Sequence, residues 1–190
     1  MNRTSMEEKA VSEDASVAGA LIMEHKLIER MIRVLSRETA AGQNGETIAV
    51  GLLAAGVDFF NVYADRCHHA KEDNILFREL GRKPLSPEHK KVLDELTGER
   101  HERRILLDAL LAADERRKAH GPRENAPVVD ALKAMCKFYR AHIEKADNHF
   151  LPSAMSYLSR EEEALILDKF RRLDSILLKE NCSRQVEYFE

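Results

Sequence analysis

Cysteine is scarce in this 190-residue chain, a large excess of either charge is missing, and no long apolar run occurs. Each shortage excludes something. The three cysteines, Cys67, Cys136 and Cys182, include no close pair and their number is odd, so reduced thiols in a cytoplasmic protein are expected rather than a disulfide framework. Lys and Arg number 30 against 33 Asp and Glu, a net charge of -3 that gives no pull toward nucleic acid or an anionic membrane surface. No stretch reaches the roughly 20 apolar residues needed to cross a bilayer. The opening MNRTSMEEKAVSEDASVAGA is too acidic and too poor in apolar residues for a secretory signal. Runs that alternate apolar and polar residues, the mark of strands, are missing too.

What is present is helical periodicity. Apolar residues make up 44% of the chain and charged residues 33%. A chain of this length can form one domain and bury roughly 70% of its unfolded surface. The first segment carries Leu21, Ile28, Ile32 and Leu35 on one stripe and ends near AGQNG at 41–45. The second runs from about Glu46 toward Leu80, with Gly51 and Gly56 as candidate bends and Gly81 and Pro84 as its stop. Ser86 as N-cap and Pro87 at the first helical position open a third, which His120-Gly121-Pro122 ends. A fourth starts near Asn125 to Pro127 and is interrupted at Pro152. Ser159 with Glu162 makes a capping box for a fifth. Short connections make the four long segments antiparallel neighbours. The expected organisation is a flexible tail over 1–15, an all-α up-and-down four-helix bundle over 16–158, and an accessory helix and tail over 159–190.

Polar side chains enter the apolar stripes at a few points. His25 interrupts the first stripe, and Val57, Phe60, Ala64, His68, Glu72 and Ile75 share a face of the second segment. His68 and Glu72 are four apart, so both reach one point from successive turns. His69 begins a second such pair with Asp73, about 100° around the helix, and stands as a supporting hydrogen-bond partner or an additional ligand. The fourth segment places His142 where an apolar side chain belongs, with Asp147 able to reach in from the edge and His149 two turns beyond His142. On the third segment His101, in TGERHERR, is the inward candidate, and Gly98 would let another helix come close. Nitrogen and oxygen donors of this kind suit iron, manganese or zinc. Burial of the Glu72 carboxylate is expensive unless a cation offsets it.

LIMEHKLIERMI around His25, CHHAKEDNILF at 67–77, GERHERR at 98–104 and HIEKADNHFLP at 142–152 together resemble the hemerythrin-like, or HHE cation-binding, family over about residues 20–158. The resemblance implies a four-helix bundle holding two irons bridged by oxo or hydroxo and by carboxylate, with zinc or another divalent cation as an alternative filling. It implies His25, His68, His101 and His142 as ligands and Glu72 as a bridge. Many such sequences carry Glu four residues after the fourth-segment histidine, whereas this chain has Ala146. Oxygen-carrying hemerythrins use a His-to-Asp spacing of five, which His142 and Asp147 match, so Asp147 is the candidate second bridge. The oxygen-carrier pattern also expects two histidines four apart on the third segment, and His101 has no such companion; His69, His149 or water would fill the position. The implied function is binding of oxygen, nitric oxide or iron for sensing, storage or stress response. A di-iron oxidoreductase or nitrosative-damage repair protein is the alternative enzyme reading. A structural or interaction bundle with a degenerate site is the third.

Overall fold

A computed structural model describes residues 16–43, 49–177, 184 and 186–190. The expected tail over 1–15, the first residues of the second segment at 46–48, and Cys182 lie outside the described residues. Helix α1 spans Val17–Gln43, opened by Ser16, whose hydroxyl accepts from the Gly19 amide at 2.9 Å. The second segment begins as α2 (Val50–Asp58), passes into π-helical turns at Phe59–His69 and Glu72–Leu76, and closes as α3 (Phe77–Leu80). Helix α4 (Pro87–His120) starts on Ser86, whose hydroxyl accepts from the His89 amide at 3.2 Å, and stops at Gly121, where φ is +81°. Helix α5 spans Asn125–His149, and Leu151–Ala154 forms the single turn α6. In α7 (Arg160–Leu177) the capping box forms in both directions, with Glu162 accepting from the Ser159 amide at 2.9 Å and Ser159 accepting from the Glu162 amide at 3.2 Å. No strand occurs among the described residues.

The core divides into two apolar clusters that fix the topology. One holds Val17 and Leu21 from the start of α1, Leu76, Phe77 and Leu80 from the end of the second segment, Leu93 and Leu96 from the start of α4, and Ala146 and Phe150 from the end of α5. The other holds Leu35, Leu52, Leu53, Leu110, Val128 and Leu132, from the opposite ends of the same four segments. That alternation is an up-and-down antiparallel four-helix bundle. Ile166 and Phe170 of α7 join the first cluster, so the additional helix lies against the bundle. Burial of large aliphatic and aromatic side chains in these clusters is the main stabilising term, at about 1.5–3 kcal/mol for each fully buried one.

The glycines play other parts than the sequence suggests. A Cβ on Gly56 would stand 2.9 Å from Leu35 Cδ2 and 3.2 Å from Leu132 Cδ2, so this glycine permits a three-helix approach rather than a bend. Among the described residues nothing comes within 4 Å of a Cβ placed on Gly98, so no described helix packs closely against it. The irregularity of the second segment falls instead at residues 59–76, where π-turns replace α-turns.

Candidate metal centre

Between the two apolar clusters, four buried side chains converge: His25 from α1, His68 and Glu72 from the π-helical stretch, and His142 from α5. One donor atom from each lies within 4.8 Å of every other. Nε2 of His25 is 2.9 Å from Nε2 of His68. Oxygens of Glu72 stand 3.6 Å from His25 Nε2, 3.5 Å from His68 Nε2 and 3.2 Å from His142 Nε2. Donors each about 2.1 Å from one cation stand roughly 3.0–3.4 Å apart, so the cluster has the dimensions of a coordination shell.

The outward nitrogens explain why Nε2 points inward. His25 Nδ1 lies 2.5 Å from Asp147, His68 Nδ1 lies 3.0 Å from Glu24, and His142 Nδ1 lies 2.8 Å from Glu99. A carboxylate can only accept, so each imidazole donates its Nδ1 proton outward and turns the other nitrogen to the centre. This carboxylate–histidine pairing orients metal-binding imidazoles and strengthens them as donors. Among the described residues, His142 Nε2 and Glu72 Oε1 are buried without a hydrogen-bond partner, although His142 Nε2 stands 3.2 Å from the other oxygen of Glu72. Orphaned buried polar atoms at one point are what a cation would satisfy. The residues therefore fit a metal.

Without a cation, protons hold the cluster together. Burial works against protonation of His142, but Glu72 and Glu99 outweigh it and push the imidazole up to about 9. Burial likewise opposes protonation of His25, and Asp147 and Glu72 reverse it, raising that group too. Burial would raise the Glu72 carboxyl, yet the surrounding histidines hold it well below its usual range. The sign follows directly. Both imidazoles have folded values above the ordinary 6.5, so their contribution is complete below 6.5 and disappears as pH rises through the folded values. Metal-free protein should therefore melt at a lower temperature at pH 9 than at pH 6.5, while metal-loaded protein should not. Thermal denaturation with and without chelator checks this, and a flat metal-free profile would contradict it.

Other candidates fall elsewhere. His69 is buried beside the cluster, with Nδ1 on Glu72 at 3.0 Å and Nε2 without a partner. His68 and His69 both lie in the π-helical stretch and both are buried, although neighbours in an α-helix face directions about 100° apart. Asp147 sits behind His25 with its side chain 22% exposed, on the outer nitrogen rather than among the converging atoms. His101 is exposed, because the inward stripe of α4 runs through Leu96, Arg103, Leu107 and Leu110. His149 is exposed at the end of α5. Glu24, Glu99 and Lys71 escape a reading based on ligand types. The signal for Glu24 is its place on the stripe Leu21, Glu24, His25, Ile28.

Behind Glu24 the arrangement continues outward. Lys71 is 1% exposed; its ammonium bonds Glu24 and lies 2.5 Å from Asp174 of α7. It also sits 5.5 Å over the Phe170 ring. Cys67 is free and buried, and burial pushes its thiol up to about 12, as it does for Cys136. No described helix is long and apolar enough to cross a membrane.

The family model of the hemerythrin HHE cation binding domain matches residues 16–154. No curated protein and no solved structure matches the chain. The matched span covers most of the sequence and includes every converging residue, so the chain belongs to the hemerythrin HHE cation-binding domain family.

Proposed function

We propose that this protein holds two irons in the buried cluster and binds a diatomic ligand such as oxygen or nitric oxide, in a sensing, storage or stress role. The observation that carries the reading is the set of three carboxylate-backed imidazoles aimed at Glu72, with Glu72 Oε1 and His142 Nε2 left for a cation. His25, His68 and His142 would bind through Nε2, and Glu72 would offer both oxygens. Iron, when bound, supplies reversible electron exchange with the small ligand. Asp147, Glu24 and Glu99 hold the imidazoles in one tautomer and keep them electron-rich. Buried Phe60, Tyr139 and Ala146 exclude bulk water from the surroundings.

A mononuclear centre has one observation in its favour. Among the described residues the converging set has four members, and Asp147 is engaged by His25 rather than turned inward. Metal quantification with absorption spectra of anaerobically iron-loaded protein, before and after air, separates the readings. Two irons per chain and an oxygen-dependent spectral change support the proposal; one iron supports the mononuclear form. A stoichiometric zinc site without a redox spectrum overturns the oxygen part.

The supporting carboxylates give a further expectation. Glu99→Gln removes the charge behind His142, and supporting groups of this type contribute about 10–100-fold to metal affinity. Competition against a chelator of known strength should register a loss in that range. Unchanged affinity would show that Glu99 does not support His142 as a ligand.

A further inference from the structure

Beside the metal cluster, a cleft of about 860 Å³ opens between the second segment and α4. Its size lies within the roughly 300–1,000 Å³ of small-molecule sites. Arg66, Arg100, Arg103 and Arg104 line it against Asp65 and Asp73, an excess of positive charge. Arg103 is committed, 3.2 Å from Asp65 and 2.7 Å from Asp73, and anchors the wall. Arg66 is exposed, and so is Arg100, whose Nε lies 3.7 Å from Asp73 Oδ2 in a longer, solvent-facing pair.

Two residues of the cleft's lining, His69 and Asp73, carry buried acceptor atoms without donors among the described residues. His69 is 1% exposed. Its Nδ1 proton is given to Glu72, so Nε2, across the ring, presents a lone pair and has no partner. Asp73 Oδ1 is likewise buried and unpartnered, although Oδ2 holds Arg103. An occupant must bring negative charge for the arginines and a hydroxyl proton for the acceptors. A fully deprotonated oxyanion such as sulfate lacks the second, and a neutral alcohol lacks the first.

We propose that this cleft binds a small oxyanion that also carries a hydroxyl group, its charged oxygens on the arginines and its O–H directed to His69 Nε2 or Asp73. Inorganic phosphate and short hydroxy acids share that chemistry. The site goes beyond the metal reading and requires no particular metal.

Calorimetric titration of the full chain at pH 7, as isolated and after metal stripping, tests it with phosphate, glycolate, sulfate and acetate. Phosphate should bind at least about tenfold more tightly than sulfate, or glycolate than acetate, because the analogue lacking O–H leaves a buried acceptor unsatisfied. Tighter phosphate binding identifies an inorganic ligand, and tighter glycolate binding an organic acid. Arg66→Gln/Arg100→Gln should weaken binding at least about tenfold with metal content unchanged. Equal affinity for sulfate and phosphate, and for glycolate and acetate, overturns the proposal, as does an absence of binding. Binding that survives the double variant but disappears on metal stripping also overturns it, since the anion would then sit on the metal.

Discussion

Glu72→Gln should strip the protein of tightly held metal while leaving its helices intact. Glu72 is fully buried, lies against four imidazoles counting His69, and is the only carboxylate in the converging set. Glutamine keeps the volume but replaces an anionic oxygen with an amide nitrogen, which cannot donate a lone pair to a cation. Supporting groups alone contribute about 10–100-fold to affinity, so loss of a direct ligand should exceed about 100-fold. The fold should tolerate the change. His142 is held up to about 9 largely by Glu72, and without that charge it can discharge its proton and remain buried as a neutral ring. Metal analysis after dialysis against a weak chelator, paired with circular dichroism, reads both halves. Retention of stoichiometric metal at native affinity would remove Glu72 from the donor set and with it the proposed centre.

Lys71→Met should cause a large loss of stability although Lys71 lies outside the converging residues. The ammonium is buried between Glu24, 1% exposed, and Asp174, 27% exposed. Asp174 can recover water, whereas the more deeply buried Glu24, which also meets His68 Nδ1, loses the ammonium. Breaking a buried pair from one side typically costs about 3–5 kcal/mol, because the remaining charge is uncompensated. For a chain of this size that corresponds to roughly 6–20 °C in melting temperature. Glu24 also orients His68, so a smaller loss of metal affinity should accompany the drop. Urea denaturation of metal-free protein isolates the first effect, and a change below about 1 kcal/mol would mean the pair is hydrated like a surface bridge.

The converging residues were legible because each breaks an α-helical apolar stripe: His25 between Leu21 and Ile28, His68 and Glu72 one turn apart, His142 after Tyr139. Side-chain spacing carries that information. The bundle was legible for the same reason, helped by Ser86-Pro87 and the Ser159–Glu162 box. His101 was not, because α4 is polar around much of its circumference and its inward stripe includes the long side chain of Arg103, which pairs with Asp65 and Asp73. An arginine on a buried stripe looks like a solvated face until its partners on another helix are known. The role of Asp147 depended on a cross-helix distance to His25, 122 residues away, which helical spacing does not encode. His69, next to His68, is buried with its Nδ1 on Glu72, a contact that helical spacing alone does not distinguish from direct ligation.

That stretch makes residue count, and not only residue identity, part of the centre. Each residue in an α-helix advances about 100° around the axis. The wider bonding of a π-turn absorbs an extra residue while both flanks keep their faces to the core. Leu53 and Val57 on one side, and Phe77 and Leu80 on the other, stay buried across Phe59–Leu76 because of it. Shortened by one residue, the same segment would close into α-turns with its upstream half rotated by about 100°. Either the apolar face of α2 or the His68–Glu72 pair would then turn away from the interior. The length of this segment is therefore a geometric requirement of the centre alongside its histidines.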